Sequence, residues 1–246
     1  MSKLGQKVLI VGATGGIGRC LAISLYKKGY RCILTGRDEK KIRNLSKITE
    51  NAPYFICDLQ DSENIAGLFV FLRKKRIQLN GLVHCAGLSP LMSVSENDEK
   101  LMLQTFRINF FSFITIMQHF QRKEISCDNA SVVAMSSVAT RISSPRQTIY
   151  AASKAALDTA IHCMAKEFLT RRIRVNSIVA GAIDTAMLQE LKKQSPGLRQ
   201  KLNVNYPLGL IPVEQIVHTV EYLLSPRSAY VTGTNMVVDS GFLIQR

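Results

Sequence analysis

Lys7-Val8-Leu9-Ile10-Val11-Gly12-Ala13-Thr14-Gly15-Gly16-Ile17-Gly18 is the stretch that decides the fold. Val8 to Val11 are apolar without alternation, as in a strand buried on both faces of a parallel sheet. A glycine turn follows, and then a helical pattern, Cys20-Leu21-Ala22-Ile23-x-Leu25, closed by Lys27-Lys28-Gly29. Strand, glycine turn and helix form the setting in which a dinucleotide pyrophosphate is held. The glycines allow a tight turn and close backbone approach, and the helix N-terminus offers free N–H groups. The spacing is G-x-x-x-G-x-G, through Gly12, Gly16 and Gly18.

The same alternation continues along the chain. Residues 31–35 read as a second strand, ending at Gly36-Arg37-Asp38. An acidic residue at that point would accept a ribose 2′-hydroxyl. Here Arg37 offers a cation for a 2′-phosphate, which favours NADP(H); Asp38 would serve NAD(H) if the strand ran slightly further. A basic helix is expected over 39–47. A third strand over 54–57 leads into Asp58-Leu59, and a helix is expected from about 62 to 75. A fourth strand, 81–85, leads into Ala86-Gly87. Both dipeptides fall at strand C-ends, where open α/β sheets bind ligands. One long helical region is expected over about 98–123. It places Asn109 among Phe106, Ile108, Phe110, Phe111 and Phe113, where a buried amide must find hydrogen bonds.

A fifth strand, 130–137, ends in Ser136-Ser137, of which one should face the cleft. A sixth, 173–179, leads into Ala180-Gly181-Ala182-Ile183-Asp184-Thr185. Residues 187–204, broken by Ser195-Pro196-Gly197, read as a helical lid. A helix over 212–224 and a strand over 235–238 complete the series. Strands alternating with helices imply a doubly wound, Rossmann-like α/β fold with a seven-stranded parallel sheet. No repeat or linker interrupts it, so 1–246 reads as one domain. Residues 1–100 would be mainly cofactor-binding, and 101–246 would carry the catalytic groups, a lid at about 185–205 and oligomer helices.

Between the fifth and sixth strands stands Tyr150-Ala151-Ala152-Ser153-Lys154. On a helix, Tyr150 and Lys154 share one face. A lysine beside a phenol favours the phenolate, bringing a group that titrates near pH ~10 within reach of acid–base work.

Composition excludes several classes. The 246 residues are 46% hydrophobic, enough for a substantial core. Six scattered cysteines without a CxxC pair suggest a reducing, cytoplasmic compartment, and four histidines without HExxH give no metal site. No signal peptide, transit peptide or membrane span is expected. The net charge of +14 comes from clusters such as Arg73-Lys74-Lys75-Arg76, Arg122-Lys123 and Arg171-Arg172-x-Arg174. Zinc-finger spacing and an RRM signature are missing, and there is no Trp, so a nucleic-acid module is not indicated. A solvated surface, or an acidic or phosphorylated substrate, accounts for the charge.

Taken in order, Gly12-x-x-x-Gly16-Ile17-Gly18, Asp58-Leu59, Cys85-Ala86-Gly87, Asn109, Ser137, Tyr150-x-x-x-Lys154 and 176–185 resemble the short-chain dehydrogenases/reductases over nearly the whole chain. Tyr230-Val231-Thr232-Gly233 and Val238-Asp239-Ser240-Gly241 extend the match. The resemblance implies NADP(H)-dependent hydride transfer between nicotinamide and a carbonyl or alcohol. Tyr150 would be the acid–base residue, Lys154 would bind the nicotinamide ribose, and Ser137, with Ser136 as runner-up, would polarise the carbonyl. Asn109 would hold a helix kink and a water leading from Lys154. Gly12, Thr14, Gly15, Gly16, Ile17 and Gly18 would line the pyrophosphate and ribose. Asp58, Leu59, Ala86 and Gly87 would follow along the cofactor, and Gly181, Ile183 and Thr185 would approach the carboxamide.

The chain is most similar to 3-oxoacyl-acyl-carrier-protein reductases of fatty acid biosynthesis. Arg122, Lys123, Arg171 and Arg172 would lie where that family docks its acidic carrier. A sugar, a steroid or a small ketone is the alternative substrate, and a non-catalytic NADP(H)-binding regulator the alternative class. A homotetramer or homodimer is implied. Three residues depart from the family pattern: Cys85 for Asn, Ala180 for Pro, and Ser240 for Gly. The first would remove a hydrogen bond that steadies the central sheet.

Overall fold

The computed structural model describes residues 5–96, 98–142, 144–194 and 204–245. Seven strands form one parallel sheet in the order β3-β2-β1-β4-β5-β6-β7. They are β1 (Lys7–Val11), β2 (Arg31–Gly36), β3 (Tyr54–Ile56), β4 (Leu79–His84), β5 (Ser126–Ser137), β6 (Arg174–Ala180) and β7 (Asn235–Val238). The order reverses between β1 and β4, which opens a crevice at their C-terminal ends.

Helices cover both faces. On one side lie α3 (Ser62–Lys74), α5 (Ser112–Phe120) and α6 (Thr148–Glu167), sealing a core around Phe69, Phe113 and Phe120. On the other lie α1 (Gly16–Lys27), α2 (Glu39–Ile48) and the last long helix, α8 (Val213–Leu224), over Ile10, Leu34 and Val133. The continuous apolar strands are the counterpart of this double cover.

Helix starts follow local chemistry. Asp38, Asp61 and Asp98 cap α2, α3 and α4 (Glu99–Phe106), each accepting a first-turn N–H. By contrast α1 has Gly15 at its N-cap position, with no side-chain cap and no acidic residue in its first turn. Its leading N–H groups are left for another acceptor.

Two expectations need correction. The region 98–123 is not one helix: α4 gives way to a π turn, Arg107–Phe111, before α5 begins, and α5 ends at Phe120. Strand β5 starts four residues earlier than the apolar pattern suggests. Its first part is irregular, Asn129 sits at φ 63°, and the register slips between Leu79 and Gly81. The lid region contains α7 (Ala186–Gln194); Ser195-Pro196-Gly197 lie outside the described residues. A lone parallel bridge joins Ile183 to Ile211. Around it, Ile211 N donates to Ala182 O at 3.0 Å and Asp184 N to Ile211 O at 3.1 Å.

Candidate active site

Two neighbouring cavities open at the C-terminal ends of the strands, of about 390 and 360 Å3. Ile17, Cys85, Ala86, Gly87 and Thr185 line both. Gly12, Thr14, Gly15, Gly16, Gly18, Arg37, Asp58 and Leu59 line the second alone. Ser137, Tyr150, Lys154, Gly181 and Ile183 line the first alone. Of the residues singled out from sequence, Asn109 lines neither and lies fully buried behind them.

The second cavity fits a dinucleotide. Gly12 sits at φ +79°, and a Cβ there would come within 2.7 Å of Ala86 N. A Cβ on Gly18 would collide with Gly12 O. These two glycines hold the turn closed. Gly15 differs: its nearest obstacle to a Cβ is 3.4 Å away, so its bareness serves the cavity beside the uncapped α1. Arg37 is exposed at the rim. Asp38 is occupied as the α2 cap, accepting from Lys41 N at 2.9 Å with Lys41 Nζ at 3.3 Å.

In the first cavity Tyr150 and Ser137 line the same wall. Ser136 Oγ is buried without a partner, which separates the two serines. Burial pushes the Tyr150 phenol above its ordinary 10.0, and the neighbouring Ser137 hydroxyl pulls it partly back. Lys154 is also buried, and Nζ donates to Met135 O at 2.8 Å. Burial drops its pKa to about 8, against the pull of Asp158 and Cys85. The expectation that the lysine's charge would govern the phenol is therefore corrected: removal from water dominates both groups.

Asn109 sits in the π turn and ties elements together. Its Oδ1 accepts from Leu88 N, and its Nδ2 donates to Leu88 O and Ser153 Oγ. Cys85 carries no side-chain hydrogen bond; its backbone N instead donates to Val11 O at 2.8 Å, joining the ends of β4 and β1. Ser240 adopts φ +55°, strained for any residue with a Cβ, while the Asp239 carboxylate accepts from Gly241 N and Leu243 N. Of the basic residues, Arg171 is structural. It pairs with Asp128 at 2.8 Å and donates to Gln121 O and Ser126 O. That removes it from the set expected to be free for a carrier.

Three contributors were not evident from sequence. Tyr206 and Phe242 stack at 4.7 Å in the wall of the first cavity, and Tyr206 Oη accepts from Ala182 N. Asp158, one turn beyond Lys154, is buried. The spacing from Lys154 was the available signal for Asp158; nothing local marks the other two.

A family model described as enoyl-(acyl carrier protein) reductase matches residues 12–243. The 3-oxoacyl-acyl-carrier-protein reductase of Rickettsia conorii is 31% identical over 244 residues, 98% of each chain. The chain belongs to the short-chain dehydrogenase/reductase family. As such it is an oxidoreductase. An L-xylulose reductase of Caenorhabditis elegans is 30% identical over 241 residues, 96% of this chain and 95% of that one. Among solved structures, a family member from Mycobacterium ulcerans superposes with a TM-score of 0.90 at 25% identity, covering 99% of this chain and 92% of that one. Among the described residues no helix is long and apolar enough to cross a membrane, and no cluster of His, Cys, Asp and Glu could hold a metal ion.

Proposed function

We propose that this short-chain dehydrogenase/reductase is an NADP(H)-dependent carbonyl reductase. The observation that carries the reading is the convergence of Ser137, Tyr150 and Lys154 in the wall of one cavity, next to the glycine-lined second cavity. A bound nicotinamide supplies the hydride. Tyr150 Oη gives its proton to the substrate oxygen, and Ser137 Oγ donates a hydrogen bond to the same oxygen. Lys154 Nζ binds the ribose hydroxyls and leads protons back towards Tyr150. Gly12, Thr14, Gly15, Gly16, Ile17 and Gly18 hold the pyrophosphate side, and Asp58, Leu59, Ala86 and Gly87 the adenosine and nucleotide walls. Gly181, Ile183 and Thr185 flank the carboxamide. Residues 1–100 thus serve mainly the cofactor, and 101–246 the chemistry, the lid and assembly.

Arg37 at the rim, with Asp38 engaged by Lys41, supports NADP(H) over NAD(H). The substrate is a ketone with an apolar arm, a 3-oxoacyl group on an acidic carrier being the leading choice. The largely apolar walls, including Val138, Ile142, Leu188 and Phe242, support this, as does the similarity to the Rickettsia enzyme. The remaining carrier contacts are then Arg122, Lys123 and Arg172. A sugar ketone is the second reading, favoured by the L-xylulose reductase relative and by the unpartnered Ser89 and Ser136 hydroxyls in the same wall. The protein works in the cytoplasm as a homotetramer or homodimer; exposed Leu103 and Phe111 on α4 and the π turn support pairing there.

Titrating NADPH and NADH separately, followed by a ketone panel, tests the reading. NADPH should bind more tightly, and Arg37→Glu should weaken it by about tenfold or more, the worth of a charge-assisted phosphate contact. Tyr150→Phe should bind NADPH and turn nothing over. Equal affinity for both cofactors would refute the Arg37 assignment, and turnover near wild type in Tyr150→Phe would refute the mechanism. NADPH binding without turnover of any ketone would favour a regulator.

A further inference from the structure

We propose that Asp158 is a positioning residue for this site: a buried counter-charge for Lys154 that also fixes the turn following Ser137. The inference rests on the reductase reading for its meaning but not for its test.

Asp158 lies on α6, 7% exposed, one turn beyond Lys154. Its Oδ1 accepts from Ser177 Oγ at 2.9 Å and Asn235 Nδ2 at 3.3 Å. Its Oδ2 accepts from Thr140 Oγ1 at 3.2 Å. The Ser177 hydroxyl accepts in turn from Asn235 Nδ2 at 2.7 Å. Strands β6 and β7 and the turn after β5 therefore converge on one carboxylate. Its partners Ser177, Asn235 and Thr140 are neutral, and among the described residues no ion pair holds it. A buried charge so arranged is costly unless it serves a nearby opposite charge.

The nearby opposite charge is Lys154. The titratable groups around it are His84 at the end of β4, Cys85 just after it, and Tyr150 and Asp158 from its own helix. β5 contributes only the Met135 carbonyl. Burial holds His84 neutral, with a pKa of about 3, and Cys85 as a thiol, at about 12. The Tyr150 phenol is likewise pushed up. Asp158 is the acidic side chain among them, buried one turn from Lys154 on the same helix face. It raises the Lys154 proton affinity against the lowering by burial. Its second arm reaches the neighbouring serine: Thr140 Oγ1, beside Asp158 Oδ2, also lies 3.0 Å from Ser137 O.

The test is an NMR titration of full-length protein labelled with 13Cε-lysine, with the Lys154 signal assigned through Lys154→Arg. In Asp158→Asn the Lys154 proton affinity should fall about tenfold, one pH unit below wild type. Asp158→Glu, which keeps the charge, should recover most of it. The alkaline limb of turnover should move the same way. Thr140→Val, which keeps the carboxylate, should leave the lysine titration unmoved and lower turnover through Ser137. If Asp158→Asn does not fold, Asp158→Ser takes its place. An unshifted Lys154 titration in the neutral variant, or an equal shift in Thr140→Val, would overturn the proposal. Wild-type protein that reduces nothing would sink the reductase reading, while the titration still decides the counter-charge.

Discussion

The Asn109 carboxamide grips the backbone of Leu88 from both sides: Oδ1 accepts from its N–H at 2.8 Å, and Nδ2 donates to its carbonyl at 2.9 Å. This clasp holds the segment just after Gly87 against the π turn. Asn109→Leu should therefore destabilise the fold by about 2–4 kcal/mol, since two backbone groups lose their partner together. Asn109→Asp should also fail, because a carboxylate oxygen would face the Leu88 carbonyl. Denaturant melts of both variants check this; a loss under about 0.5 kcal/mol would mean that water replaces the amide.

His84 sets an acid-side limit. It is fully buried, with Nε2 3.2 Å from Ser112 Oγ, and burial lowers its pKa from 6.5 to about 3. The unfolded chain thus binds a proton that the folded chain refuses between those values. Stability is full above about 6.5 and falls as pH drops towards 3. Between pH 6.5 and 4.5 the loss should be about 2 kcal/mol, before most carboxylates protonate. Urea melts of wild type and His84→Asn should show the slope in the first and a flatter line in the second.

The glycine turn offers a clean separation of roles. In Gly18→Ala the new methyl meets Gly12 O, so stability should fall by about 1–3 kcal/mol. In Gly15→Ala the methyl finds room and the backbone is already at φ −75°. Melting should then stay near wild type while NADPH affinity drops, because the methyl stands where phosphate approaches α1. Paired melting and binding measurements decide; loss of both properties in Gly15→Ala would contradict the assignment.

Arg171 and Arg122 should behave differently on charge reversal. Arg171 joins the C-terminal end of α5 to the start of β5 and to Asp128, so Arg171→Glu should lower the melting temperature by several degrees. Arg122→Glu should melt as wild type and raise KM only for a carrier-linked substrate. A matching rise for a free ketone would count against carrier docking.

Most of the architecture was legible because buried parallel strands advertise themselves as short apolar runs. Strands β1, β2, β6 and β7 fall within a residue of expectation for that reason. β5 was not fully legible, since Asp128 and Asn129 at its start carry no hydrophobic signal. The π turn was hidden in a continuous helical pattern, although Asn109, the amide among Phe106, Ile108, Phe110, Phe111 and Phe113, marked its place. In the site, the glycines, Ser137, Tyr150 and Lys154 were readable because their spacing is local. Asp158 was not, because its meaning comes from Thr140, Ser177 and Asn235, which only the fold assembles. The pKa balance between Tyr150 and Lys154 likewise depends on burial, which no spacing reports.

The bridge between Ile183 and Ile211 holds the two ends of the excursion from 184 to 210 together. Leu188 and Tyr206, which line the first cavity, both come from that excursion. Lengthening such a loop is cheap, about 0.6 kcal/mol for each doubling, and the bridge spares the sheet from any rearrangement above it. Chemical taste and mechanical soundness are therefore stored in different parts of this chain. On the proposed reading, changes at Leu188 and Tyr206 would alter the first cavity's wall while the scaffold that holds Tyr150 stays as it is.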